Sequence, residues 1–298
     1  MKRIFSIFLF FLSAIALSAQ DRVDTLRAKL FDQTGHGVMV ASHRGDWRNF
    51  CENTLEGVMS AASMGVDIVE IDIQKTRDGQ LIVMHDATLN RTTTGKGNVS
   101  DWTVDSIKTL RIKNGCAIRT KQRVPTLEEV LVAMKGKVLL NLDKADRYFD
   151  DIYPLLIKTG TARQIVMKGR MPAGEVKERF GQYLDEVIYM PIVDLDKSDA
   201  AEAISSFVAE LHPVAFELLF KTDDNRLPLQ LANTLQGVSQ IWYNTLWDTL
   251  VGGHDDDATL TDIDNGWGYC IDRLGCRIIQ TDRPQMLLDY LRSRGLHE

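Results

Sequence analysis

Short apolar runs alternate with stretches of helical periodicity along most of this chain, and that alternation excludes most architectures before any motif is considered. Eight runs read as strands: Gly37–Ser42, Val66–Ile73, Lys137–Asp143, Gln164–Lys168, Glu186–Pro191, Val214–Leu219, Gln240–Asn244 and Arg277–Thr281. Helical runs lie at Asn53–Met64, from Pro125 onward, at 146–159, 173–181, 198–210, 228–236 and 258–273, and at Pro284–Arg294. Eight strands alternating with helices predict an α/β chain folded as a (β/α)8 TIM barrel. An open doubly wound sheet is the alternative, but polar residues stand at the carboxyl ends of many strands and not at one switch point. A ninth extended run, Leu81–Met84, follows an Asp78-Gly79 turn and pairs back on the second strand as a hairpin. Reflection through that turn sets position 72 opposite position 85. The hairpin and the Thr/Gly-rich stretch after it form a small insertion, about residues 74–124, between the second strand and the second helix.

Polar chemistry gathers at the tips of the first strands. Ser42-His43-Arg44-Gly45 follows the first, Glu70-Ile71-Asp72 ends the second, and Met84-His85-Asp86 ends the hairpin strand. Glu70 and Asp72 share a face because strand side chains repeat every two residues. Two carboxylates on a buried face stay ionised cheaply only around a cation. All-oxygen ligands suit one hard divalent ion, Mg2+ or Ca2+, better than zinc. Asp143, at the tip of the third barrel strand, supplies the third oxygen. Two histidines can exchange protons near neutral pH, and an arginine can grip a phosphoryl group in a fork. A lone histidine at a strand end is usually only a hydrogen-bonding residue, and Glu70 with Asp72 could be a solvated strand face. Two histidines flanking a carboxylate pair favour catalysis on a phosphate ester. His36, His212 and His297 have no such company.

These strings resemble the signature of the glycerophosphodiester phosphodiesterase family. The likeness rests on His43-Arg44-Gly45, Glu52-Asn53-Thr54, Glu70-Ile71-Asp72, the Thr76–Gly79 turn and His85-Asp86. It continues through Leu89–Thr93, Val124–Val130, Trp242-Tyr243-Asn244 and Thr281-Asp282-Arg283-Pro284, nearly the whole chain after its leader. The resemblance implies a barrel with a small inserted subdomain, metal ligands at Glu70, Asp72 and Asp143, and catalytic histidines at His43 and His85. His43 is the implied base and His85 the implied acid; the residues themselves leave that polarity open. The family pattern has Glu as third ligand with Lys two positions on, whereas this chain has Asp143 with Lys144 adjacent. Arg44, Lys144 and Trp242 are the expected substrate contacts, with Lys168 a further candidate cation. Asn53 caps the first helix or borders the site. Asp255 to Asp257 read as a solvated, helix-capping loop, and, beside Trp242, as a candidate seat for a choline or ethanolamine head group.

The implied reaction is metal-dependent hydrolysis of glycerophosphodiesters to glycerol 3-phosphate and an alcohol. The alternatives are a phosphodiesterase acting on lysophospholipid, sphingolipid or inositol phospholipid, and a non-catalytic phosphodiester-binding protein on the same fold. A net charge of -6 argues against nucleic acid held on a basic surface, and no protein partner is evident. The first 19 residues carry Lys2 and Arg3, an apolar run Ile4–Leu12 and small residues to Ala19, the pattern of a cleaved signal peptide. The expectation is an exported chain, periplasmic or extracellular, with residues 20–298 as one barrel domain. Four cysteines in such a chain permit two disulfides or buried free thiols.

Overall fold

The computed structural model describes residues 22–298; the signal-like segment Met1–Ala19 lies outside the described residues. The strands are β1 (Met39–Ser42), β2 (Ile68–Lys75), β3 (Leu81–Val83), β4 (Leu139–Asp143), β5 (Ile165–Gly169), β6 (Ile188–Asp194), β7 (Ala215–Leu219), β8 (Gln240–Asn244) and β9 (Cys276–Thr281). Among the described residues all but β3 pair in parallel, and β1 pairs with both β2 and β9, so eight strands close the predicted barrel. The helices are α1 (residues 22–31), α2 (Leu55–Met64), α3 (Val104–Thr109), α4 (Leu127–Met134), α5 (Phe149–Thr159), α6 (Ala173–Phe180), α7 (Ala200–Glu210), α8 (Leu227–Thr234), α9 (Asp256–Thr261), α10 (Tyr269–Asp272) and α11 (Pro284–Ser293).

Strand alternation sorts the interior into two cores. Val69, Ile71, Leu140, Leu142, Phe216 and Ile279 face outward under the helices. Ile68, Leu139, Val166, Met190, Ala215, Trp242 and Ile278 face inward and fill the lower barrel, where Val23, Leu26 and Leu30 of α1 plug it. One pleat higher on the inward face the residues turn polar: Glu70, Asn141, Lys168, Glu217, Asn244 and Gln280, all buried. The apolar plug below excludes water and leaves the upper end for chemistry.

The insertion leaves β2 as a hairpin, but its register differs by one residue from the expectation. Ile73 pairs with Val83 and Lys75 with Leu81, so position 72 lies opposite 84 and not opposite His85. The turn is longer than its Asp78-Gly79 signal implies, because the Thr76 N–H closes it on the Gln80 carbonyl at 2.9 Å. The Met84 N–H still reaches the Asp72 carbonyl at 2.9 Å; beyond it the chain leaves the ladder. Ile82, Met84, Leu89, Val99, Ile107, Ile112 and Val124 give the insertion a small core of its own.

The helical run expected at 258–273 is broken between α9 and α10. Gly266 takes φ −90° and ψ −107°, and a Cβ there would meet Thr259 Oγ1 and come within 2.8 Å of its Cα. Only glycine permits that approach. All four cysteines are free thiols, Cys51, Cys270 and Cys276 buried and Cys116 exposed, so neither possible disulfide forms.

Leu30 is 1% exposed at the foot of the barrel. Leu30→Ala is expected to cost about 2–5 kcal/mol in urea unfolding, the range for a fully buried leucine. A loss below about 1 kcal/mol would contradict the plug role assigned to α1.

Candidate active site

The register of β2 against β4 sets Asp72 beside Asp143 and Glu70 beside Asn141. Glu70, Asp72 and Asp143 each point one carboxylate oxygen into a common space, these atoms lying within 4.8 Å of one another. Glu70 and Asp72 are 1% exposed. Burial first, then the charge of Asp72, pushes the Glu70 carboxyl well above the usual range, with Lys168 opposing. Burial also acts to raise Asp72, but Lys144, Arg44 and His85 outweigh it and hold it below the ordinary value. Glu70 Oε2 accepts the Arg44 backbone N–H at 2.8 Å, and the side chains of Glu70 and Asp143 offer further oxygens. Three converging carboxylates in a partly dehydrated site are compatible with a hard divalent cation.

The backbone supporting this cluster is strained. Among the described residues five non-glycines have positive φ, and three are here: Arg44 (52°), Asn53 (58°) and Lys144 (60°). Such conformations persist where their surroundings over-determine them, commonly at functional sites. Asn53 grips Asp72 twice, donating from Nδ2 to Oδ2 at 2.9 Å and accepting the Asp72 N–H at 3.1 Å. Thr54 caps α2. Lys144 follows the last residue of β4; strand alternation would turn it away, but its left-handed backbone swings Nζ to 2.9 Å from Asp72 Oδ1 and 2.8 Å from the His85 carbonyl. Gly45, φ 73°, lets the first loop touch α2; a Cβ would lie 2.9 Å from Gly57 C and Val58 N.

Each site histidine has its Nδ1 tied to a carboxylate. His43 meets Asp282 Oδ1 and His85 meets Asp86 Oδ1, both at 2.7 Å. Neither Nε2 has a partner among the described residues, and both histidines line the same cavity, about 360 Å³ at the barrel mouth. Burial tends to raise Asp282, but hydrogen bonds from His43 and Trp47 and the charge of Arg48 leave it below its usual value. Hydrogen bonds from Arg91, aided by His85, hold Asp86 far below the usual range. Arg91 also clasps Glu52 through Nη1 at 2.6 Å and Nη2 at 2.8 Å, and Glu52 in turn accepts Arg44 Nη1 at 3.1 Å. One cation thereby connects the first loop to the insertion.

Sequence reasoning missed Asp282, the partner of His43 from 239 residues away. Of the two readings of Asp255 to Asp257, helix capping holds and the head-group seat does not, since none of the three lines the cavity. Asp255 caps α9, and Asp257 is exposed beside Arg283. Asp256 is buried, accepting Thr245, Thr281, the Trp267 indole N–H and the Asp282 backbone N–H; burial pushes its carboxyl up to about 6 against those hydrogen bonds. It is a strut beneath Asp282, so the choline seat is withdrawn. Trp242, expected to touch substrate, is fully buried in the lower barrel because its strand position faces inward below the polar layer. Its indole N–H donates to Asn244 at 2.7 Å, Asn244 donates to Glu217 at 2.9 Å, and Lys168 donates to Glu217 at 3.1 Å, 3.7 Å from Asp143. Trp247, 49% exposed, lines the mouth instead.

Residues 43–153 match the family model described as "Glycerophosphoryl diester phosphodiesterase family", and residues 189–291 match one described as a domain of unknown function. The chain is 43% identical over 110 residues to a glycerophosphodiester phosphodiesterase of Caldanaerobacter subterraneus, an alignment covering 36% of this chain and 44% of that one. It is 37% identical over 97 residues to mouse glycerophosphodiester phosphodiesterase 1, covering 32% and 29%. The chain thus spans less than half the length of these curated relatives. A glycerophosphoryl diester phosphodiesterase structure from Parabacteroides distasonis superposes with a TM-score of 0.74 at 22% identity, over 91% of this chain and 92% of that one. An Oleispira antarctica phosphodiesterase solved with the product sn-glycerol-3-phosphate superposes with a TM-score of 0.63 at 18% identity, over 86% and 97%. These likenesses carry the fold.

Saturation with Mg2+ or Ca2+ is expected to raise the thermal midpoint by several degrees. A ligand at 100 times its Kd stabilises by about 2.7 kcal/mol, and each 1 kcal/mol is worth about 2–4 °C in a large domain. Glu70→Gln is expected to remove that rise; a rise of equal size in the variant would exclude Glu70 as a ligand.

Proposed function

We infer that this chain, whose residues 43–153 match the glycerophosphoryl diester phosphodiesterase family model, belongs to that family and hydrolyses glycerophosphodiesters to glycerol 3-phosphate and an alcohol. The observation that carries this reading is the pair of histidine–aspartate couples, each at 2.7 Å, on either side of the three-carboxylate cluster. Each couple fixes the ring through its Nδ1, while Nε2 is left for substrate. In the proposed reaction His43 takes a proton from the attacking water or neighbouring substrate hydroxyl, and His85 donates one to the departing alkoxide. Attack by the substrate's own hydroxyl would give a cyclic phosphate first. Arg44, fixed by Glu52 at one nitrogen, grips a nonbridging phosphoryl oxygen. Lys144 holds Asp72 and adds positive charge beside the phosphate.

Glu70, Asp72 and Asp143 would hold one divalent cation, Mg2+ or Ca2+, which when bound supplies Lewis-acid polarisation of the phosphoryl group. Export, with the periplasm as destination, is part of the proposal and rests on the residue pattern before Ala19.

A second reading has one observation in its favour. Ile192, Leu219, Leu246, Trp247 and Leu250 line one side of the cavity, enough apolar surface for part of an acyl chain. Lysophospholipid is therefore the competing substrate.

Purified protein is expected to release glycerol 3-phosphate from glycerophosphocholine with Mg2+ or Ca2+ and not with EDTA. His43→Ala and His85→Ala are each expected to lower kcat by about 10²–10⁴. Folded protein that releases nothing from glycerophosphodiesters under any metal, yet cleaves lysophospholipid, would transfer the assignment to the second reading. Asp282→Asn is expected to lower kcat by about 10–100-fold with KM little changed, as for other partners that orient a reacting imidazole; unchanged kcat would remove Asp282 from the account.

A further inference from the structure

Although the chain is acidic overall, its insertion is not. Residues 74–124 hold ten Lys or Arg against four Asp or Glu, and residues 106–127 hold six Lys or Arg and no carboxylate. That basic run folds as a hairpin. Ile112 N–H bonds to Gln122 O, Thr120 N–H to Ile112 O, and Asn114 N–H to Ile118 O, so the tip is Asn114 to Ile118. Of the six cations, Lys108 alone meets a carboxylate among the described residues, that of Glu129. Arg111, Lys113 and Arg123 donate to backbone carbonyls, which leaves their charge uncompensated. Arg119 and Lys121 are exposed, and no described side chain pairs with either.

The tip between these cations is apolar. Ile118 is 63% exposed, and Phe50 of the first loop, 38% exposed, lines a cavity of about 490 Å³ together with Gly115 and Cys116 of the tip. Trp47 lines the same cavity and donates its indole N–H to Asp282, the partner of His43. The patch therefore stands on the rim of the barrel mouth. Apolar side chains ringed by uncompensated Lys and Arg match the chemistry of a bilayer surface bearing anionic lipid. Single-stranded nucleic acid fits less well, because binding it needs free aromatic faces, and Arg48 lies over the Trp47 ring at 4.8 Å.

We propose that the insertion hairpin, with Phe50, is a docking surface for anionic phospholipid bilayers that sets the barrel mouth against the membrane. Ile118 and Phe50 enter the interface while Arg119 and Lys121 meet lipid phosphates. This goes beyond the hydrolytic reading and does not depend on it, since docking is measured without turnover.

The test is co-sedimentation of the full chain with phosphatidylcholine vesicles carrying 0 or about 30% phosphatidylglycerol, at low and at about 0.3 M salt. Binding is expected to need phosphatidylglycerol and to weaken with salt. R119Q/K121Q is expected to weaken it about thirtyfold, from about 1 kcal/mol for each of the two basic residues at an anionic surface, and Ile118→Ser by several-fold. K135Q/K137Q, which removes the same charge from exposed positions just before β4, at the opposite end of the barrel, is expected to bind like the parent. The N-terminal apolar segment is common to every variant, so it does not affect the comparison. Equal binding by parent and R119Q/K121Q, equal loss in K135Q/K137Q, or capture of a single-stranded RNA oligonucleotide with no gain from phosphatidylglycerol would each overturn the proposal.

Discussion

Three carboxylates converge in the upper barrel, two of them almost completely buried, and the rest of the site is arranged around the cost of keeping them there. Isolated buried charges are strongly unfavourable, so each must have donors or counter-charges within reach. Asp72 has Asn53, Lys144 and Arg44; Asp143 has Lys168; Glu70 has one backbone N–H. The left-handed residues Arg44, Asn53 and Lys144 are where the chain bends out of regular geometry to bring those groups in. Even so, burial and the charge of Asp72 hold the Glu70 carboxyl well above the ordinary range, which marks it as the carboxylate least compensated by the protein itself.

Beneath that layer the barrel is apolar and closely filled by side chains. Trp242 joins the two regimes, packing with the lower core while its indole N–H starts the relay through Asn244 and Glu217 to Lys168. The two histidine–aspartate couples are held from different directions. Asp282 follows β9 and rests on Asp256, whereas Asp86 belongs to the insertion and is anchored through Arg91 to Glu52. The insertion thus supplies one of the two histidine–aspartate couples and also carries the basic hairpin at the rim.

Much of this was legible in the residues. The eight strands were readable because buried parallel strands are near-continuous apolar runs, and Glu70 with Asp72 because period two puts both on one face. His43 and His85 were visible as polar residues at strand tips. Lys144 was ambiguous, since alternation turns it outward and its left-handed φ leaves no sequence mark beyond the residue itself. Asp282 stood within the string Thr281–Pro284, but nothing in the residues tied it to His43 across 239 positions. Glu217 and Lys168 did carry a signal, a single charged residue inside each of the runs Val214–Leu219 and Gln164–Lys168, which a half-solvated strand would also show. Asp256 was misread because an acidic triplet is usually solvated, and only the fold reveals the threonines and indole around it. The basic hairpin was masked by the net charge of the whole chain, an average that conceals opposite signs in barrel and insertion.

The claim on which the rest depends is that Glu70, Asp72 and Asp143 form one cation site. Anomalous diffraction from crystals grown with Ca2+ tests it most directly. The account predicts a single strong peak bounded by those three carboxylates, with oxygen distances of about 2.3–2.6 Å. A peak elsewhere, or none at this cluster at saturating Ca2+, would contradict it.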